Sequence, residues 1–376
     1  MKLLRQELAT IVGFLTLIGF WLFGSAVLPQ TAPLGVAVTA FVVLVAIMLW
    51  CVFGVVRHAQ CLAALLGEPY GTLILTLAVT GIEVALIGSV MITGAESPKL
   101  ARDTMFSVVM IVLNGLIGLS LLLGGIRYRT QVYNLQGASS FLSVLLPLSI
   151  IGLVLPRFTS TAPGGELSNI EAGFLVVMSV MLYALFVAIQ TTTHSDSFRQ
   201  PPMPDLDGAA AAEERDEVHE HGPVVTVGHH SIGLILAVLP VVLLAKDLAI
   251  YIDYGLATSG APLALGGFLV ATIILMPEGI SAIQAARQNL LQRAVNICLG
   301  SALATIGLTI PAVLIISWVT GEHLVLGLEP VEIVMLAATL IVSMVTFVSP
   351  RTNILQGAVH LALFAAYVML IFDHAI

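Results

Sequence analysis

Long apolar runs separated by short polar stretches set the pattern of this chain. Eleven runs stand out, at about 10–28, 34–56, 71–93, 105–126, 138–156, 170–190, 231–252, 263–284, 294–319, 330–349 and 353–372. Each is close to the roughly 20 residues a helix needs to cross a bilayer. None alternates with the period of two that marks a barrel strand, and unpaired backbone groups are costly in hydrocarbon, so the pattern predicts helices. The first run follows Lys2 and Arg5. It is too long for a secretory apolar region, and no small-x-small cleavage site follows, so it too is expected to span. The fold class predicted is an all-α polytopic membrane protein with about eleven transmembrane helices.

Composition agrees. Hydrophobic residues make up 58% and charged residues 10% of 376, against roughly 25% charged in soluble domains. So few charges cannot cover a water-exposed surface, and the lipid bilayer is the expected surrounding. Cys51, Cys61 and Cys298 lie in or beside apolar runs without framework spacing and read as small buried hydrophobes. With the N-terminus in the cytoplasm, Lys2, Arg5, Arg57, Arg127, Arg129, Arg199, Arg215, Arg287, Arg293 and Arg351 all fall inside. Lys99, Arg102 and Arg157 fall outside, and Lys246 lies within the seventh run. That asymmetry follows the positive-inside rule and implies an odd number of crossings, with the C-terminus outside.

One segment differs in kind. Residues 194–230 are polar, Pro-rich and acidic, divide the runs six to five, and face the cytoplasm in this orientation. Most of the net charge of -8 sits there, so the balance argues against a nucleic-acid partner without characterising the rest. The segment reads as a solvated linker or short acidic helix. A sharper reading makes Glu213, Glu214, Asp216, Glu217, His219, Glu220 and His221 a weak cation or pH sensor.

The informative acids lie inside the membrane. Glu83 sits near the middle of the third run and Glu278 well inside the eighth. A carboxylate at that depth costs a few kcal/mol, so each marks a functional site unless it is a protonated partner in a helix–helix hydrogen bond. The two are related in position. With the first run set aside, runs two to six and seven to eleven form two five-helix halves. The glutamates then fall in the second helix of each half, running in opposite directions. This is the arrangement of an inverted repeat, whose sites lie near the bilayer midplane. The expected divisions are 1–33 as an N-terminal helix, 34–193 as the first repeat, 194–230 as the acidic loop and 231–376 as the second repeat.

Each acid has polar company at helical spacing. Thr76 and Thr80 precede Glu83 by seven and three residues, and Ser107 and Asn114 share a face of the next run. Ser301, Thr305 and Thr309 form a stripe in the ninth run. Such stripes also serve helix packing or bond back to the preceding turn. Pro277 removes a backbone donor just before Glu278, and Gly81 and Gly279 permit close approach of neighbouring backbones. Together these groups offer oxygen ligands suited to hard cations such as calcium or sodium.

The stretches GEPYGTLILTLAVTGIEVALI (67–87) and MPEGISAIQAARQNLLQRAVNICLGSALATIGLTIPAV (276–313) resemble the two alpha repeats of the cation/calcium exchanger superfamily. The nearest likeness is to the bacterial ChaA-type sodium, potassium and calcium/proton antiporters. VRHAQ (56–60), SLLLGG (120–125) and RTNILQGAVHLALFAAY (351–367) extend it over almost the whole chain apart from the acidic loop. The resemblance implies eleven spans, a cytoplasmic acidic segment after the sixth, and one glutamate per repeat carrying cation and proton, here Glu83 and Glu278. The Gly-Ser pair after the second glutamate maps onto Gly300 and Ser301. In the first half only Ser107 remains, after Phe106. Relatives often carry Gly-Asn before each glutamate where this chain has Val79-Thr80 and Ile274-Leu275, and Thr305 replaces a glutamine. Fewer amide oxygens for a cation that takes six to eight ligands weaken strict calcium selectivity, so sodium is expected to compete.

The resulting expectation is a bacterial inner-membrane secondary antiporter exchanging Ca2+, Na+ or K+ for H+, with these ions as its partners and no cofactor. A homo-oligomer stays open. The alternative is a cation channel using the two glutamates as filter acids, but no re-entrant filter is visible. An intramembrane enzyme is set aside, because the spans carry no paired aspartates, no His-Glu-x-x-His and no Gly-x-Ser-x-Gly.

Overall fold

The computed structural model describes residues 7–66, 70–93, 98–160, 162, 164–201 and 226–373. Among them the chain forms α1 (Leu8–Val27), α2 (Leu34–Leu66), α3 (Tyr70–Thr93) and α4 (Leu100–Tyr128). It continues with α5 (Leu135–Arg157), α6 (Asn169–Thr193), α7 (Val227–Ser259) and α8 (Ala264–Arg287). The last three are α9 (Leu291–Thr320), α10 (Pro330–Thr346) and α11 (Ile354–Phe372). The eleven runs read from the sequence thus appear as eleven helices. Eight are long and apolar enough to cross a membrane, while α1, α3 and α10 carry shorter apolar stretches. The protein is an all-α, multi-pass membrane chain. Its only described strands, β1 (Gln131–Val132) and β2 (Arg351–Thr352), form one short antiparallel pair.

Several helices outrun their apolar runs. α2 continues to Leu66 and α7 to Ser259, so Arg57, His58 and Asp253 are helical residues and not loop residues. Continuing the helix pairs backbone groups internally where no other partner is at hand. Ends are marked locally. The Ser168 hydroxyl accepts from the Glu171 amide while Glu171 accepts from the Ser168 amide, a reciprocal cap on α6. Gly321, at φ 76°, closes α9 in a left-handed conformation that suits glycine.

Two compact units make up the fold. The first comprises Met1–Ala95 and Pro202–Gly260, and so holds α1, α2, α3 and α7. Within it Cys51 donates to the Ala9 carbonyl at 3.2 Å, tying α1 to α2. A side chain at Gly13 would collide with Cys51 Sγ and Pro240, so these helices touch at backbone distance. All three cysteines are buried, as their surroundings in the sequence imply.

The second unit comprises Glu96–Pro201 and Ala261–Ile376, with the remaining seven helices. Gly267 of α8 lies against the backbone of Asp103 and Thr104, and Gly357 of α11 against that of Leu122, so α4 is flanked closely on two sides. An extended segment before α10 seals one end. Leu324, Val325, Leu326 and Leu328 are buried, and the amides of Val325, Leu326, Gly327 and Leu328 donate to Pro98, Gly165, Gly165 and Leu153. Each unit draws helices from both sequence halves.

Candidate functional site

In the second unit, Glu278 stands in the middle of α8, half-buried, one residue after the helix-interior Pro277. Ser301 of α9 donates to Glu278 Oε2 at 3.2 Å. Four residues on, α9 leaves α-helical geometry for a π-helical turn, Thr305–Thr309. Thr305 and Thr309 are buried within that turn. Such turns loosen the regular backbone ladder and are frequent at functional sites. The residues brought together here are therefore a carboxylate, a hydroxyl donating to it, and a stretch of irregular backbone.

α4 contains a matching π-helical turn, Ile111–Leu116. A side chain at Gly279 would strike Leu116, so the residue after Glu278 packs directly on this turn. The sequence-predicted Ser107 and Asn114 are both buried, but their bonds run elsewhere. Ser107 donates to the Asp103 carbonyl at 2.6 Å and its hydroxyl lies 2.7 Å from that of Tyr367. Asn114 donates to Thr339 Oγ1 at 2.8 Å, which turns its carbonyl oxygen toward His360 Nδ1 at 3.4 Å. Thr346 meets the other ring nitrogen of His360 at 2.9 Å. These two residues therefore belong to a polar seam between α4, α10 and α11.

That seam ends in a charge cluster. Arg102 is 2.7 Å from Asp103 Oδ1 and 3.5 Å from Glu332 Oε1, and it donates to the Gly327 carbonyl at 3.0 Å. All three charged side chains are buried, Glu332 completely. At the mouth Glu329 receives Lys99 and Arg157, each at 3.0 Å. The bond from Lys99, aided by the nearby charges of Arg157 and Arg102, holds the Glu329 carboxyl below its usual range. By sequence Arg102 is expected among the outer charges, and Asp103, Glu332, Thr339, His360 and Tyr367 are not among the expected site residues. A signal was available: Glu332, Thr339, Ser343 and Thr346 recur at intervals of seven, four and three, on one helical face.

In the first unit, Glu83 is buried at 3% exposure in α3, and Thr80, one turn earlier, is buried with it. The side chain of Thr76 lies outside the described residues, as do Glu213, Glu214, Asp216, Glu217, His219, Glu220 and His221 of the acidic loop. Among the described residues no group of three or more His, Cys, Asp or Glu side chains converges as a resident metal centre would. Any cation held at Glu83 or Glu278 needs hydroxyl or carbonyl oxygens to complete its shell.

Comparison with known proteins bears on both helices that carry these acids. A family profile described as sodium/calcium exchanger protein matches residues 36–192 and 230–372. The chain is 42% identical over 372 residues to the sodium-potassium/proton antiporter ChaA of Escherichia coli (strain K12), covering 99% of this chain and 98% of that protein. It is 25% identical over 280 residues to the Ca(2+)/H(+) antiporter ChaA of Bacillus subtilis (strain 168), covering 74% of each. The solved structure of native YfkE superposes with a TM-score of 0.70 at 19% identity, over 98% of this chain and 99% of that one. The last likeness concerns the fold alone.

Proposed function

The chain belongs to the sodium/calcium exchanger protein family, and from that premise we propose that it is a secondary antiporter of a bacterial inner membrane, exchanging cations for protons. The observation that carries the reading is the Glu278–Ser301 pair beside the π-helical turn of α9. A membrane-embedded carboxylate that accepts from a hydroxyl, next to backbone with loosened hydrogen bonding, can take either a proton or a cation. Glu83, buried in α3, supplies the second carboxylate of the proposed site, in line with its matching place in the other half of the sequence. The intended topology is the cytoplasmic N-terminus and outer C-terminus read from the basic residues.

Exchange then follows from charge. With both glutamates ionised, one calcium ion or two monovalent cations neutralise them and the loaded site can change sides. With both protonated, it is neutral again and can return. A half-loaded site keeps a bare charge in low dielectric and is expensive to occlude, so the two movements are coupled. Because the two carboxylates share one site, their protons leave and return as a coupled pair. Sodium, potassium and calcium are the cargo classes, since the relatives are named for these. The sparse amide oxygens around Thr80, Leu275 and Thr305 favour sodium as a competitor of calcium. The channel reading is not favoured, because the relatives are antiporters.

The test is flux in liposomes at zero voltage. Imposed sodium or calcium gradients should drive proton movement, and Glu83→Gln and Glu278→Gln should each abolish it while the protein stays inserted. The amide keeps the shape but neither releases a proton nor offers charge. Coupled flux surviving in either variant, or cation flux without protons, would refute the shared site.

A further inference from the structure

The first unit carries a second ionisable cluster that exchange at the glutamates leaves unused. Glu7 lies just before α1, Arg57 and His58 on α2, and His229 and His230 in the first turn of α7. His58 is completely buried and His230 is 4% exposed. Nδ1 of His58 is 3.1 Å from Nδ1 of His230, and its Nε2 is 3.2 Å from Glu7 Oε2. Arg57 Nη2 and His229 Nε2 each lie 3.5 Å from the other Glu7 oxygen, and Arg57 Nη2 is also 3.1 Å from His58 Nε2. Gly233 makes the room: a Cβ there would collide with the His58 ring. Three helices are thus joined through one imidazole.

Valence limits what this pair can hold. Nε2 of His58 faces both the Glu7 carboxylate, which only accepts, and the Arg57 guanidinium, which only donates; in the tautomer that serves Glu7 it carries the hydrogen. Neutral His58 then has a bare Nδ1 and accepts from the Nδ1–H of His230. One added proton is tolerated, because His58 can carry both hydrogens while His230 adopts the tautomer with its Nδ1 bare. A second puts N–H groups on both facing nitrogens, and the bond between α2 and α7 becomes a repulsion between two cations. The charged groups acting on the two rings are Glu7 from α1, Arg57 from α2 and His229 from α7. α3, the remaining helix of the unit, adds none among the described residues.

We propose that His58 and His230 form a proton-binding pair that latches α7 to α1 and α2, and that opens when it takes up its second proton from the cytoplasm. The transport consequence and the side of loading rest on the antiporter reading above; the latch itself rests on the contact between the rings. The acidic segment enters α7 only a few residues before His230, so the pair sits where that segment joins the membrane bundle. Opening loosens the unit that holds α3 and Glu83. A cytoplasm that turns acid therefore slows exchange and with it a further inward load of protons.

The experiment places nitroxide labels at the exposed positions Leu66 of α2 and Val227 of α7 in the full chain, reconstituted in liposomes. The label distance should lengthen as pH falls from about 7.5 to about 4, an interval wide enough for a buried imidazole pair to take up its second proton. Over the same interval exchange should fall on the order of tenfold, against about threefold or less in His58→Gln or His230→Gln. Glutamine keeps a donor and an acceptor but does not titrate, so its label distance should stay constant. A distance that ignores pH when both histidines are present overturns the latch, as does an acid response that persists undiminished in the Gln variants. If a variant fails to insert, the measurement on the intact pair still decides. Glu278→Gln separates the two proposals: it should lose exchange yet keep the pH-dependent distance. Exchange surviving in that variant would remove the transport site and leave the latch standing on its own distance change.

Discussion

Helices α4 and α9 both turn π-helical four residues after a serine, at Ile111 after Ser107 and at Thr305 after Ser301. Both serines, like the starts of both turns, are 194 positions apart, and Glu83 and Glu278 are 195 apart. The shared register is what two copies of one ancestral segment would leave. The chemistry has nevertheless diverged. Ser301 gives its hydrogen to Glu278, whereas Ser107 faces Tyr367 and opens a neutral seam through Asn114, Thr339 and His360. Backbone irregularity at the same place can thus stand beside a membrane carboxylate in one helix and serve helix-to-helix bonding in the other. What decides is the neighbour each turn is given.

The sharpest way to break this contrast is at the end of the α4 seam. Replacing Arg102 with Leu leaves Asp103 and Glu332 buried without their shared cation. The expected loss of stability is about 3–5 kcal/mol, the usual result of stranding one side of a buried ion pair. Thermal unfolding in detergent measures it. A midpoint unchanged from the parent protein would mean the cluster is not buried as described.

A smaller effect separates the two serines. Ser301→Ala removes a hydrogen bond to a carboxylate, so the cation concentration giving half-maximal exchange should change on the order of tenfold. Ser107→Ala should leave that concentration within about twofold and act instead on stability, by about 1 kcal/mol. The readout is proton flux against cation concentration for each variant. Equal effects would erase the distinction between α4 and α9.

The smallest lies at the mouth of the cluster. Because Lys99, Arg157 and Arg102 depress the folded-state pKa of Glu329, its ion pairs contribute stability above the ordinary carboxylate range. That contribution is lost as pH falls through the depressed value. Glu329→Gln should therefore lower the melting temperature slightly at pH 7 and leave it nearly unchanged in strong acid. The pair is partly solvated, so the difference at neutral pH should stay within about 1 kcal/mol. A difference that grows on acidification would reverse the sign and remove the argument.

Much of this was legible before any coordinates. Apolar runs longer than any soluble helix requires carry the eleven-helix count, and Glu83 and Glu278 stand out because charge in such runs is rare. The family resemblance rests on the stretches around the same two residues. What stayed hidden has a common cause. Arg102, Asp103 and Glu332 lie in first helical turns, where charges are ordinary, and nothing in the sequence says that the extended segment before α10 folds over them. His360 sits in an apolar run and gains its meaning from Asn114, 246 positions away, and from Thr346. The polar stripe of α10 shows the helical period, but periodicity alone does not name the helix it faces. The π-helical turns likewise leave no mark in composition.

The central claim is that cation and proton occupy the same two carboxylates in turn. It is tested most directly by adding a saturating cation to the purified protein in weakly buffered detergent and measuring the protons released with a pH dye. The account predicts release near neutral pH from the unaltered protein, for sodium and for calcium. The two ions added together should give no more than either alone. Glu83→Gln and Glu278→Gln should each release fewer protons or none. Undiminished release from either variant, or cation binding that frees no protons at any pH from about 6 to about 8, would contradict it.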